Sequence, residues 1–274
     1  MKVYADGKWS DEAFVSVYDR GFMYGEGIYE SLRTYNGRVF APHQHYERLR
    51  RSAELMGMPC KLDYQKLMAI IEEGIKDIKE DVTIRVMVTK GNGKDTNLFI
   101  YIMELQAPNE DLYTYGVDIG ISHFRKIPSF CVPSTLKTTS HAYLSLVRKE
   151  KEEFYEVIFL NHLGFVAEGT MSNIFLVENG VLVTPSLDSD ILDGITRRVV
   201  IDLATSLGIS VEERLVNVDE LFNCSEIFLT RTSAEIIPVR RIESRTLFES
   251  EPSGLTVLLS ENFRSYVLNE SKYW

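Results

Sequence analysis

The sequence predicts an α+β fold in two domains, a smaller one over residues 1–110 and a larger one over 115–274, with a linker at 107–114. Three observations predict it. The 274 residues, 45% apolar and 26% charged, suit one large domain or two of ordinary size. Strand-like and helix-like stretches come in runs, which is the α+β pattern. A polar stretch, Ala107-Pro108-Asn109-Glu110-Asp111, breaks both periodicities.

Residues 2–9 and 13–19 have strand character around a turn. Residues 30–35 and 38–41 flank Asn36-Gly37, a pair that tolerates the positive φ of a tight hairpin. Over 42–56 the spacing turns helical, with Leu49, Ala53 and Met56 on one side; 63–78 is a second helix with Leu67, Ile70, Ile71 and Ile75 inward. Apolar strand runs at 82–89 and 98–105, separated by Gly91-Asn92-Gly93, close the first domain. Beyond the linker come a strand near 117–123, a helix near 141–153 and strands at 156–161 and 165–167. A hairpin over 173–177 and 181–184 turns at Glu178-Asn179-Gly180, and a helix over about 194–207 stops at Gly208. Strands at 226–230 and 236–239 precede a final amphipathic helix over 255–268. The expected site lies between the two domains.

A formal charge of −10 argues against a nucleic-acid binder. No apolar run approaches the roughly 20 residues that span a bilayer, and the start, MKVYADGKWS, has no secretory hydrophobic stretch, so a cytoplasmic protein is expected. Cys60, Cys131 and Cys224 are odd in number and widely spaced, the pattern of reduced core cysteines and not of bridges or a zinc site; no metal is expected. The basic cluster Arg48, Arg50, Arg51 reads as a solvated helix face with room for one member to point inward.

Four places could carry chemistry. Lys137 lies in Pro133-Ser134-Thr135-Leu136-Lys137-Thr138-Thr139-Ser140, and no Asp or Glu occurs between Asp118 and Glu150. With Arg125, Lys126, Arg148 and Lys149 nearby in sequence, desolvation and like charge would both lower its pKa, as a Schiff-base nucleophile requires. An ordinary surface lysine is the competing reading. Asp193-Gly194-Ile195-Thr196 before a helical run is either a simple capped helix or an amide-lined phosphate site. Glu168 in Ala167-Glu168-Gly169-Thr170-Met171-Ser172-Asn173 is either a turn residue or a carboxylate placed to meet a ring nitrogen. Thr230-Arg231-Thr232-Ser233-Ala234-Glu235 ends an apolar strand with hydroxyls and amides that suit a phosphate or a carboxylate.

Taken in order, these segments resemble the class IV, fold type IV, pyridoxal-phosphate enzymes: branched-chain aminotransferases, D-amino-acid aminotransferases and aminodeoxychorismate lyases. The resemblance covers nearly the whole chain. It rests on Asp19-Arg20-Gly21-Phe22-Met23-Tyr24-Gly25-Glu26-Gly27-Ile28-Tyr29-Glu30, His45-Tyr46-Glu47-Arg48-Leu49, the Lys137 segment, Gly164-Phe165-Val166-Ala167-Glu168-Gly169 with Ser172-Asn173-Ile174-Phe175, and Leu192-Asp193-Gly194-Ile195-Thr196-Arg197.

That resemblance implies a fold like the D-amino-acid aminotransferases, with the cofactor lysine in the larger C-terminal domain. It implies pyridoxal 5'-phosphate held as a Schiff base by Lys137, which then moves the proton between Cα and the cofactor. Glu168 maps to the ring-nitrogen partner, Arg48 to the phosphate clamp, and Ile195, Thr196 and Thr232 to further phosphate donors. Tyr29 and Arg85 map to positions beside the substrate, and Ser233 and Ala234 to the turn that accepts its carboxylate; for the tyrosine an ordinary strand role competes. Two departures stand out. Where many relatives have Asn-Tyr soon after the lysine, this chain has Ser140-His141-Ala142-Tyr143, so His141 or Tyr143 takes over the bond to the cofactor's phenolic oxygen or it is missing. The loop at 91–95, Gly-Asn-Gly-Lys-Asp, lacks the Arg-x-His carboxylate trap of D-specific enzymes. The expected activity is transamination between an amino acid, branched-chain-like and L favoured, and 2-oxoglutarate, in a homodimer; D-amino-acid transamination or release of pyruvate from aminodeoxychorismate are the alternatives.

Overall fold

The computed structural model describes residues 1–58 and 62–269, which divide into two units. The first comprises residues 1–106 with 136–141 and 267 onward; the second comprises 107–135 and 142–266. The change of unit after Gln106 coincides with the polar break. The grouping of Lys137 does not follow the sequence expectation: its segment, 136–141, packs with the first unit and not with the larger C-terminal one.

The first unit is built on a six-stranded sheet. Its strands are β1 (Lys2–Ala5), β2 (Lys8–Ser10), β3 (Gly27–Tyr35), β4 (Arg38–Val39), β5 (Val82–Thr89) and β6 (Asn97–Glu104), in the order β2-β1-β6-β5-β3-β4 and antiparallel throughout. The β3–β4 hairpin turns through Asn36 and Gly37 at φ 51° and 75°, the left-handed conformations that choose this residue pair. One sheet face carries Ile28, Leu32, Ile84, Val86, Ile100 and Ile102 into a core closed by Leu49 and Ala53 of α2 (Pro42–Leu55) and Leu67 and Ile71 of α3 (Tyr64–Ile75). Asp63 caps α3 by accepting from the Lys66 amide at 2.8 Å. A short helix, α1 (Arg20–Tyr24), occupies part of the stretch before β3. Residues 13–19, expected as a strand, are irregular, with Phe14 and Tyr18 85% and 76% exposed. Alternating hydrophobicity needs a neighbouring strand edge to become a ladder, and none is supplied there.

The second unit is built on a nine-stranded sheet: β7 (Val117–Arg125), β8 (Glu156–Leu160), β9 (Val166–Gly169), β10 (Asn173–Glu178), β11 (Val181–Pro185), β12 (Val211–Arg214), β13 (Glu226–Arg231), β14 (Glu235–Ile242) and β15 (Arg245–Thr246). The order is β12-β11-β10-β13-β14-β7-β8-β9, with β15 paired to β14. Helices α4 (Glu110–Thr114), α5 (Ala142–Glu150), α6 (Ile195–Ser206), α7 (Val218–Leu221) and α8 (Gly254–Asn269) complete it. Ile174, Leu176, Ile227, Leu229 and Ile237 fill one side of the sheet, while Phe175 stacks on Phe228 at 4.9 Å on the other. Of the expected core cysteines, Cys224 is buried, but Cys131 is exposed in the turn after Pro128; Cys60 lies outside the described residues. A turn closed by the Cys131 and Val132 amides on the Pro128 carbonyl holds the thiol at the surface.

Candidate active site

In the first unit, strand alternation separates two sets of polar residues. Glu30 sits on the core face of β3 between Ile28 and Leu32, 1% exposed. Such a carboxylate persists only if paired. Arg48 of α2 supplies Nε to Glu30 Oε1 at 2.7 Å and Nη2 to Oε2 at 2.8 Å, a bidentate pair, and His45 Nδ1 stands 2.7 Å from Oε2. Burial works to raise the Glu30 pKa, but Arg48 and His45 together hold it well below the ordinary carboxylate range. Burial pushes His45 down against the opposing pull of Glu30, so the neutral ring donates its Nδ1–H; its Nε2 is buried without a hydrogen-bond partner. Arg48 is the inward member of the basic cluster, while Arg50 and Arg51 are exposed.

Tyr29 and Arg85 lie on the other face, where Ser31 pairs with Arg85 and Arg85 with Tyr101. The Lys137 segment runs along β3: Tyr29 N donates to Lys137 O at 3.0 Å, Thr139 N donates to Gly27 O at 2.9 Å, and Lys137 N reaches Ser52 Oγ of α2 at 3.3 Å. The Lys137 ammonium is 4.9 Å from the Tyr29 ring centre and the Arg85 guanidinium 5.3 Å from it. Arg85 Nε is buried without a hydrogen-bond partner. His141 packs edge-on against the same ring at 5.3 Å and holds the Thr138 carbonyl with Nε2. The expected residues Tyr29, Arg85 and Lys137 are therefore together, and the Lys137 ammonium and the Arg85 guanidinium share one aromatic ring.

In the second unit, Glu168 on β9 is 6% exposed and engaged on both oxygens. Lys126 Nζ donates to Oε1 at 2.6 Å; Asn173 Nδ2 and the Leu192 amide donate to Oε2, each at 3.0 Å. Asn173 Nδ2 also holds Leu192 O at 2.9 Å, which fastens the chain entering α6 to the carboxylate. The cap of α6 is Gly194 and no side chain caps the helix; Asp193 turns instead to Arg198. Thr196, 3% exposed, keeps its Oγ1 buried without a hydrogen-bond partner. Thr230 Oγ1, at the end of β13 opposite Asn173, and Arg231 Nε share that condition. Glu168, Ile195 and Thr196 are thus joined through Asn173 and Leu192. Thr232, Ser233 and Ala234 form the β13–β14 turn, whose Ala234 carbonyl accepts from Tyr113 at 3.2 Å.

Sequence reasoning missed Glu30, His45 and Lys126, whereas Thr230 lies in a segment that the sequence does single out for its hydroxyls. Glu30 and His45 were in the quoted motifs, but only the register of β3 on α2 reveals their pairing. Lys126, a like charge near Lys137 in sequence, is in the structure a partner of Glu168. The period-two pattern of β13, which sets Thr230 on the face of Phe228, was the available signal for Thr230.

The family description that matches residues 27–242 is "Amino-transferase class IV". A Thermotoga maritima protein named "Probable branched-chain-amino-acid aminotransferase" is 45% identical over 247 residues, covering 90% of this chain and 88% of its own. The D-alanine aminotransferase of Bacillus licheniformis is 29% identical, with 99% of each chain covered. The crystal structure of the branched-chain amino acid aminotransferase from Thermobaculum terrenum in its PLP form superimposes with a TM-score of 0.89 at 27% identity, covering 99% of this chain and 95% of that one.

Proposed function

The chain belongs to the class IV aminotransferase family, and from that premise we propose that it transfers the amino group of branched-chain L-amino acids to 2-oxoglutarate with pyridoxal 5'-phosphate as cofactor. The observation that carries this reading is the placement of Lys137, tied by its backbone to β3 with its ammonium over Tyr29 beside Arg85.

The residues fit the cofactor. Buried hydroxyls without partners are costly, and Thr196 Oγ1 and Thr230 Oγ1 are two such donors near the uncapped start of α6, where the Ile195 and Thr196 amides and the helix dipole favour an anion. Thr232, in the β13–β14 turn, would add a donor for the same phosphate; Arg48 is proposed as a phosphate clamp on the family resemblance alone, since two of its nitrogens are committed to Glu30. When bound, pyridoxal phosphate supplies a conjugated ring that accepts the electron pair left when the amino acid's Cα loses its proton. Glu168, buried on β9, would meet the ring nitrogen and favour a proton there. Lys137 Nζ would be the group that holds and moves the Cα proton. Of the two candidates for the phenolic-oxygen contact, Tyr143 is favoured, since His141 Nε2 is engaged with the Thr138 carbonyl.

Tyr29 lines the substrate, Arg85 attracts its acidic partner 2-oxoglutarate, and Ser233 and Ala234 receive the α-carboxylate. The 107–114 boundary is proposed on the change of unit at Gln106, and a cytoplasmic homodimer on the exposed apolar side chains of Phe14, Val17, Tyr18 and Phe22, 64–85% exposed. The D-specific reading has a relative in its favour but lacks the Arg-x-His trap in the 91–95 loop.

The test is a panel of L- and D-amino acids read by the visible absorbance of the bound cofactor and by glutamate formed from 2-oxoglutarate. Leucine, isoleucine and valine are expected to convert the spectrum, and 2-oxoglutarate to restore it. Lys137→Ala is expected to lose the lysine-bound band and at least about a thousandfold in turnover while keeping its melting temperature. A response to D-alanine alone, or pyruvate release with no amino-acid response, overturns the substrate assignment; full turnover in Lys137→Ala overturns the whole reading.

A further inference from the structure

The carboxylate of Glu168 offers about four lone-pair positions. Three are occupied by protein: both on Oε2, by Asn173 and Leu192, and one on Oε1, by Lys126. The position left for a ring nitrogen is on Oε1, the oxygen that already holds an ammonium at 2.6 Å. Lys126 is fixed there. Its amide donates to Leu160 O at 2.9 Å, its ammonium lies 5.7 Å from the Phe159 ring centre, and its side chain is 14% exposed against 7% for Glu168.

We propose that Lys126 is a positioning residue that tunes the ring nitrogen through Glu168: by occupying the oxygen left to face that nitrogen, it lowers the carboxylate's capacity to hold a proton on the cofactor. The inference rests on the reading that Glu168 faces the ring nitrogen. Two cations then share one oxygen, so Lys126 weakens the protonated ring and with it the electron demand on the neighbouring imine carbon. Burial works to lower the Lys126 pKa; the Glu168 charge, with the Tyr143 hydroxyl, outweighs it and raises the pKa above the ordinary lysine value. The other charged groups around the pair are committed elsewhere. Asp193 holds Arg198, Asp190 holds the Ser129 amide and His162, Arg148 donates to Thr170 Oγ1, and Glu156 receives the amides and hydroxyls of residues 170–172.

The test uses the holoenzyme and follows the pH midpoint at which the visible absorbance of bound cofactor changes. Glu168→Gln removes an anion and moves the midpoint down. Lys126→Met removes a cation and moves it up by about one pH unit, the size of effect a full charge exerts at several ångströms in a partly screened site. Lys126→Arg keeps the wild-type midpoint. In the apo protein, the melting temperatures of Lys126→Met, Glu168→Gln and the double variant are expected to be non-additive, because each single change strands a buried charge. A shift in Glu168→Gln with none in Lys126→Met overturns the proposal and leaves the role of Glu168 intact. No shift in Glu168→Gln overturns the underlying reading. Should Lys126→Met not fold, Lys126→Gln carries the same expectation, and additive melting temperatures count against the pair.

Discussion

Glu30, His45 and Arg48 show how much one buried residue can decide. Removing one partner of a buried ion pair leaves the other charge stranded, so Glu30→Gln is expected to cost about 3–5 kcal/mol in urea-induced unfolding and to loosen Arg48. The same residues set an acid sensitivity. Burial keeps His45 below its ordinary 6.5, so as pH falls through 6.5 the unfolded chain takes up a proton that the folded chain refuses, and stability drops. Glu30, held below its ordinary 4.5 by Arg48, extends the loss as pH falls further, since folding is favoured by the ionised form. Unfolding free energies measured from pH 8 to 4 are expected to decline below about 6.5, and His45→Asn to flatten the first part of that decline. Arg48's inward turn was legible only through the resemblance: three arginines in four residues look alike until a carboxylate on another strand chooses one.

At the scale of elements, legibility followed the presence of an apolar face. The β3–β4 hairpin, α2, α3 and α6 carry strong periodicity and lie where it placed them. The elements it did not reveal lack that signal. β12 is Val-Glu-Glu-Arg, exposed or half-buried, and is a strand because parallel pairing to β11 makes it one. α1 buries no residue and is held by Asp19, which accepts from Gly21 N at 2.6 Å and from Thr89 and Asn97 side chains at 2.7 Å. The start of α6 tests how elements are coupled. A methyl group at Gly194 would collide with Asn173 Oδ1 and press on Arg197 Cβ at 3.3 Å. Gly194→Ala is therefore expected to lose about 1–3 kcal/mol of stability, and to weaken cofactor affinity more than Glu168→Asp does, because moving Asn173 frees both Glu168 and Leu192. Calorimetric melting and a fluorescence titration with pyridoxal phosphate would check it.

For the whole molecule, the sequence conveyed two α+β units, while the membership of 136–141 escaped it. That segment has no periodicity of its own; its place is set by backbone bonds to residues 27–29, more than a hundred positions earlier, which no local pattern encodes. The exposed Phe14, Val17, Tyr18 and Phe22 make a prediction at this scale. Wild-type protein is expected to sediment as a dimer, and the double change Phe14→Glu, Phe22→Glu to shift it toward monomer with most turnover lost; a monomeric wild type that is fully active would refute the assembly.

The strap of residues 137–139 along β3 has a consequence for biosynthesis. Thr138 lies 111 residues after the Gly27 carbonyl to which its hydroxyl bonds. At roughly 5–20 residues per second, a nascent chain emerges with that margin of its first sheet bare for several seconds, an open template for mispairing. The stitch that closes the margin also carries Lys137, so that side chain cannot reach its place over Tyr29 before the first sheet is sealed.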